Sequence, residues 1–366
     1  MTRYSRREAM AIGAAGLAGG VLALAGCAQS SGSGGKSARV VVYSSIDREI
    51  IEPVLAEFNR ASAAAAVGGG VAFTAELVGD TEATKTTGLA QRVLSEKARP
   101  RADVWLSSEG VTTAWLAREG VLAELRSPAQ SPPTPRLPTD ADALARAIDA
   151  WPAEFRTKSS VAMALRPRRI VYNTRVMGAE RAPRSIEELC RDDLRGRVVI
   201  ARARFGTTRG HVAVLHARLG DDGLLALAKK LKDAGVREVD GNASVVRIVA
   251  RGEAHAGLTD SDDVYAGQRE GWPVDSTADP VLVDLPLSPT TLALVAGGPN
   301  PAGARALAAW LMDGALERSL AGGDWRAIPV SPSVRTELKI TEAVRAEAWE
   351  TLDVERALSI WERGLG

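Results

Sequence analysis

The sequence predicts an α/β protein built from two similar lobes, and three observations carry that expectation. β-branched runs such as "RVVVYSS" turn polar at their ends, each is followed by a stretch with apolar residues at helical spacing, and the order of strand, polar tip and helix recurs in both halves of the chain. That order builds a sheet with parallel neighbours, and in such sheets ligands bind beyond the carboxyl ends of the strands.

The elements follow in order. After "RVVVYSS", Ile50, Ile51, Val54, Leu55 and Phe58 recur on one helical face, with Pro53 near the helix start, where a missing N–H costs little. "GVAFTAELV" reads as a second strand, and "GDTEATKTTG" leads from it to a helix around "LAQRVLSEKA". "RADVWLSSEG" repeats the buried strand with a polar end, and "VTTAWLAREG" is its helix. "SPAQSPPTPRLP" is a surface connection, and "SSVAMALRPRRIVYN" a long extended segment. From "SIEELC" a second α/β unit begins. "GRVVIARARFGTTRGHVAVLHARLG" is strand, Gly-Thr loop and helix, and "VREVDGNASVVRIVARGEAHAGLTDSDD" is strand, polar loop, helix, strand and acidic tip. "PVLVDLPLSPTTLALVAGGPN" returns as an extended crossing to helix "PAGARALAAWLMDG", and a helical tail containing "AVRAEAWETLDVERALSIWERGL" closes the chain.

The first 26 residues stand apart as an export leader: Arg3, Arg6 and Arg7 head the apolar run "AMAIGAAGLAGGVLALAG". The run ends in Leu24-Ala25-Gly26-Cys27, a lipobox pattern whose cysteine sulfur takes a diacylglycerol. "SRREAM" resembles a twin-arginine signal, with Sec export as the alternative. The Ser/Gly-rich stretch behind Cys27 is a tether. The expected organisation is therefore a leader at 1–26, a lipidated Cys27 with its tether at 27–38, a first lobe at 39–165 and 286–366 that includes the C-terminal helices, and a second lobe at 166–285. Behind Cys27 only Cys190 remains, so no intramolecular disulfide between two free thiols staples the body. Losing Arg3, Arg6, Arg7 and Glu8 with the leader takes the chain from +1 to about −1, and no basic stripe interleaved with aromatics appears, which argues against a nucleic-acid partner.

Polar residues gather at the predicted strand ends. Ser44, Ser45 and Asp47 follow the first strand, Glu109 follows the third, and Thr207, Thr208 and Arg209 open a helix in "FGTTRGH", where free backbone N–H groups suit an anion. Asn242 follows the next strand, and Asp260, Asp262 and Asp263 crowd "GLTDSDDVY". Helix capping explains each of them singly; their convergence on strand ends of both lobes points to a ligand site. The acids are not an EF-hand, since counting from Asp260 the sixth residue is Tyr265 and the twelfth is Gly271. The three histidines, His211, His216 and His255, lack metal-ligand spacing, and no Gly-x-Ser-x-Gly elbow is present, so a hydrolase or transferase working through these carboxylates is the remote alternative.

The ordered set "VVVYSSIDREIIEPVLAEF", "RADVWLSSEG", "RPRRIVYN", "LRGRVVIARARFGTT", "DGNASVVRIVARGEAHAGLTDSDD" and "SPTTLALVAGGPNPAGARALAAWLMDG" resembles the extracellular solute-binding proteins of ABC importers, in the branch that contains the ferric-ion-binding proteins. The resemblance implies a periplasmic-binding-protein type II fold, α/β, with two lobes joined by crossing strands around a ligand cleft. It also implies a non-enzymatic monomer that serves an ABC permease, tethered to membrane lipid through Cys27 at the cell envelope. In that comparison Asp47 stands where some members carry a histidine ligand and Glu109 where they carry a glutamate. Thr207, Thr208, Arg209 and Asn242 match segments that hold a companion anion such as phosphate or carbonate. Asp262 and Asp263 fall on the adjacent tyrosines that bind Fe(III), and this departure leaves hard oxygen donors for Fe(III) or for Mg, Ca or Mn. The implied metal set is Asp47, Glu109, Asp262 and Asp263; Ser44, Ser45, Thr207, Thr208, Arg209, Asn242 and Asp260 form the implied anion or ligand set. The alternative cargo is an organic anion such as a phosphonate.

Overall fold

The computed structural model describes residues 37–67, 70–79, 85–126, 141–204, 206–277, 286–323, 325–341 and 344–366. The leader, Cys27, the tether to residue 36 and most of the Pro-rich connection lie outside the described residues. No helix among the described residues is long and apolar enough to cross a membrane.

The first half runs β1 (Ala38–Ser44), α1 (Arg48–Ala65), β2 (Phe73–Val78), α2 (Lys85–Ser95), β3 (Val104–Ser107), α3 (Gly110–Arg118) and α4 (Ala141–Ala150) into the long β4 (Ser160–Asn173). The second runs β5 (Val198–Ala201), α5 (Gly206–Asp233), β6 (Arg237–Val239), α6 (Asn242–Ala250), β7 (Ala256–Asp260), α7 (Ser261–Arg269) and β8 (Val274–Ser276). β9 (Leu287–Leu294) returns to the first half, followed by α8 (Pro301–Trp310), α9 (Leu316–Gly322), β10 (Ile328–Pro329) and α10 (Pro332–Glu337), and α11 (Val354–Leu365) ends the chain.

Strand order is β2-β1-β3-β9-β4-β7-β5-β6, with β8 and β10 also paired to β4. β1 pairs in parallel with β2 and β3, and β5 with β6 and β7, as the repeated strand-tip-helix pattern requires. β4 belongs to both lobes: residues 160–167 pair antiparallel with β9, and residues 168–172 with β7. The two α/β lobes are joined by these crossing strands. Apolar cores lie on both faces of each half, one face of the first holding Val40, Ile51, Phe58 and Leu307, and one face of the second holding Ile200, Val212 and Leu258. α5 changes direction at Gly220, whose φ of 68° is the left-handed conformation that glycine adopts without steric cost.

The C-terminal tail differs from expectation in two ways. Residues 344–348 are not helical, and a single short turn at Trp349–Thr351 precedes α11. This segment lays the Trp349 ring against Gly110: a Cβ there would stand 3.1 Å from Trp349 Cγ and 2.7 Å from Pro289 Cγ. α11 then packs on α5 rather than on the first half. Its Val354, Ala357, Ile360 and Trp361 fall on one helical face and enter the core of Val212, Leu224 and Leu231. Asp353 caps it by accepting from the Arg356 N–H at 3.1 Å.

Ile360 is 2% exposed, so Ile360→Ala is expected to lower unfolding stability by about 2–5 kcal/mol, through lost burial and the cavity left behind. Guanidinium chloride unfolding measures this, and a loss under about 1 kcal/mol would show that α11 contributes little to the second core.

Candidate functional site

The strand ends of the first lobe meet through Ser45. Its Oγ accepts from the Ser108 N–H at 2.9 Å and so ties the end of β1 to the end of β3, while Ser44 Oγ accepts from the Ile46 N–H at 3.1 Å. Both serines are thus used to shape the loops. Asp47 occupies the cap position of α1, yet its side chain does not cap; it accepts from Trp325 Nε1–H at 2.7 Å. Trp325 belongs to the loop before β10, where Arg326 holds a left-handed φ of 41°, a strained conformation for a non-glycine residue. Glu109 begins α3 and is 3% exposed. Its Oε1 accepts from the Thr112 hydroxyl, Oε2 is buried without a partner, and burial pushes its pKa up.

In the second lobe the first turns of α5 and α6 and the end of β7 converge on one ion pair. Arg168 and Asp260 are direct cross-strand partners of β4 and β7. Arg168 Nη1 donates to Asp260 Oδ1 at 2.7 Å, and the two side chains are 0% and 3% exposed. Asp260 Oδ2 accepts from Thr207 Oγ1 at 2.5 Å and Asn242 Nδ2 at 2.9 Å. Arg168 also donates to Thr207 Oγ1 at 3.1 Å, Asn242 Oδ1 at 3.2 Å, Thr208 Oγ1 at 3.3 Å and His211 Nδ1 at 3.4 Å. Thr207, Thr208, Asn242 and Asp260 are therefore brought together as the sequence suggests. Arg209, from the same loop as Thr207 and Thr208, pairs instead with Glu355 of α11 at 3.2 Å.

Asp262 and Asp263 lie in the first turn of α7, and with Asp260 each offers an oxygen within 4.8 Å of the others. Asp262 Oδ2 accepts from Arg166 Nη1 at 2.8 Å, its Oδ1 is buried without a partner, and Asp263 Oδ2 accepts from Thr259 Oγ1 at 3.4 Å. Arg166 links the lobes. Nη2 donates to the Ser108 carbonyl at 3.1 Å, the guanidinium carbon lies 4.4 Å from the centre of the Trp325 ring, and Nε has no partner. Tyr265, one turn along α7, is stacked under Arg326 with 4.4 Å between guanidinium carbon and ring centre.

The carboxyl groups titrate in opposite directions. Burial would raise Asp260, but Arg168 and Arg166, with the Thr207 hydroxyl, bring it below the ordinary carboxylate range. Burial raises Asp262 against the pull of Arg166, and it raises Asp263 well above the ordinary range, helped by the negative charges of Asp262 and Asp260. Asp260 is thus held toward its charged form by the structure, whereas Asp262 and Asp263 resist charging.

A family model described as bacterial extracellular solute-binding protein matches residues 39–318. The chain belongs to that family. No curated protein matches, whereas solved structures do. Iron-bound HitA from Pseudomonas aeruginosa is 17% identical with a TM-score of 0.65, covering 89% of this chain and 99% of that one. The Trichodesmium protein IdiA (FutA) in complex with iron and citrate is 16% identical with a TM-score of 0.68, covering 89% and 99%. The apo ferric ion-binding protein A of Pasteurella haemolytica is 17% identical with a TM-score of 0.65, covering 89% and 95%. At these identities the likeness is one of fold: two lobes around a cleft.

Sequence reasoning missed three residues of this solute-binding protein's cleft: Arg166, Arg168 and Trp325. The signal for the arginines was present, since a strand otherwise as apolar as "VAMAL" and "IVY" carries charges that are rarely buried without partners. Nothing local marks Trp325.

The sign of the pH dependence follows from Asp263. An acid whose folded pKa is raised adds no instability below its unfolded value of about 4 and destabilises increasingly as pH climbs through the raised value. The chelator-treated protein is expected to melt at lower temperature as pH rises from about 4 to 8, and Asp263→Asn is expected to flatten that slope. Calorimetric melting across this range checks it; an unchanged slope in the variant would assign the effect elsewhere.

Proposed function

We propose that this protein is the cargo-binding lipoprotein of an ABC importer, and that its cargo is a hard metal cation, Fe(III) or a divalent ion. Asp262 and Asp263 would hold it from one lobe and Glu109 from the other. One observation supports this above the rest: a carboxylate oxygen of Asp262 is buried without a partner inside the cluster of Asp260, Asp262 and Asp263, each of which offers an oxygen within 4.8 Å of the others, while Glu109, whose Oε2 is also unpartnered, feels the charge of the same Arg166 that pairs with Asp262. Leaving a buried acceptor unpaired costs on the order of 1–3 kcal/mol, and a cation entering between these oxygens removes that cost. Carboxylates are hard donors suited to such ions. The solved relatives that carry iron lend the reading support from fold alone.

On this proposal Asp47 positions Trp325, which backs Arg166, and Arg166 must leave Asp262 for both of its oxygens to serve the ion. Binding closes the lobes about β4 and β9, and the lobes divide near Arg166, with residues 354–366 joining the second. Cys27 carries the lipid, after export by the Sec or twin-arginine route, and an inner-membrane permease receives the cargo. A phosphonate or similar anion fits less well, because Thr207 and Asn242 already donate to Asp260.

Calorimetric titration of the purified, chelator-stripped protein tests the cation reading. Fe(III) supplied as a weak chelate, or Mn(II), Mg(II) or Ca(II), is expected to bind, and Asp262→Asn with Asp263→Asn is expected to weaken binding by at least about a hundredfold, or 2.7 kcal/mol. The absence of binding by all four ions would remove the metal from the proposal.

A further inference from the structure

The residues that would receive a free companion anion already hold one that belongs to the chain. Three donors from three elements end on a single carboxylate: Thr207 Oγ1 from the first turn of α5 at 2.5 Å, Asn242 Nδ2 from the first turn of α6 at 2.9 Å, and Arg168 Nη1 from β4 at 2.7 Å, all on Asp260. Arg168 is fully buried and spends its remaining donors on Thr207, Thr208, Asn242 and His211. Arg209, the other cation of that loop, is turned away onto Glu355. Thr207 reaches a solute only by giving up Asp260, and Asn242 Nδ2 and Arg168 Nη1 place their other hydrogens on Thr207 and Asn242.

We infer that Asp260 is a built-in counter-anion, which fills the anion subsite of the second lobe and makes cargo capture independent of phosphate, carbonate or any other dissolved anion. The part concerning cargo rests on the proposed cation reading; the part concerning the filled subsite does not. The chemistry of the subsite suits a carboxylate or a phosphate oxygen pair, both of which accept from a guanidinium and two neutral donors. Because Asp260 is covalently attached, its ordering cost is met in folding rather than on binding. Its other consequence concerns specificity: a solute that arrives as an organic anion finds these side-chain donors already engaged.

The test is chemical rescue. Asp260→Ala removes the carboxylate, opens its volume and leaves the Arg168 guanidinium buried without its anion, a change that is strongly destabilising. Millimolar formate, acetate or inorganic phosphate is expected to raise the melting temperature of Asp260→Ala by several degrees at constant ionic strength, with chloride as control, and to leave the wild type unmoved. Asp260→Asn, which keeps the shape, serves as the second variant if Asp260→Ala does not fold. For it the readout is calorimetric binding of phosphate, expected to be weaker than for a vacated site but stronger than for the wild type. Wild-type protein that binds formate or phosphate as tightly as the variants would overturn the filled subsite. Fe(III) or Mn(II) titrations of the wild type, with and without added phosphate or carbonate, examine the cargo part, with affinities expected to agree within about threefold. An increase of tenfold or more on adding anion would overturn independence, whereas no metal binding in either buffer would sink the cation reading and leave the rescue result to decide the subsite alone.

Discussion

Everything in the cleft is arranged around the buried pair of Arg168 and Asp260. Taking two charges out of water costs several kcal/mol per ion, and their attraction offsets this only when further hydrogen bonds satisfy the remaining lone pairs and protons. That requirement explains the surroundings: Asp260 accepts from Arg168, Thr207 and Asn242, and Arg168 donates to Thr207, Thr208, Asn242 and His211 as well. The pair is also directly opposed across β4 and β7, so a register slip of one residue would put the two side chains on opposite faces. Satisfying one buried charge therefore fixes the strand register and the starting points of α5 and α6 together.

Arg166 lies two residues earlier on the same strand, and the period of a β-strand places its side chain on the same face as Arg168. The two do different work because β4 changes partners between them. At Arg168 the neighbour is β7; at Arg166 it is β9, so Arg166 reaches forward into a gap bounded by Ser108 and Trp325 from one lobe and Asp262 from the other. A charged side chain 9% exposed, with one nitrogen unpartnered, is poised rather than locked. Arg168 is fully buried, and each of its three nitrogens has a partner. One guanidinium serves the strand pairing, and the other bridges Ser108 and Asp262.

Much of this was legible in the sequence. β-branched runs ending in "SS", "DGN" and "TDSDD" placed Ser44, Asn242 and Asp260 at strand ends, and the structure puts them there. What the pattern could not show is which polar group answers which. Asp260 reads as a ligand or a cap until Arg168 is seen opposite it, and Arg168 is hidden because a strand interior has no motif for a charge. The tail was misread for a different reason. "AVRAEAWE" is rich in good helix formers, and propensity favours a helix. The chain must instead pass from the first lobe to the second within a few residues. An extended segment advances about 3.3 Å per residue and a helix 1.5 Å, so the demand for reach overrides local preference. Trp325 escaped because its role depends on a residue 278 positions away in the chain, Asp47.

Charge balance then bears on the cargo. Fully ionised, Glu109, Asp260, Asp262 and Asp263 carry four negative charges, against the two positive charges of Arg166 and Arg168. That surplus is costly in a low-dielectric setting: burial and the negative charges of Asp262 and Asp260 push Asp263 well above the ordinary carboxylate range, while burial alone raises Glu109. On the proposed reading a divalent ion offsets the two net negative charges of these six groups. A trivalent ion leaves one positive charge in excess. It demands either that Arg166 swing clear or that the ion bring a hydroxide. Because Asp260 already supplies the anion of the second lobe, the arginine on β4, two residues before the buried pair, becomes the group whose position decides how much cation charge the cleft accepts.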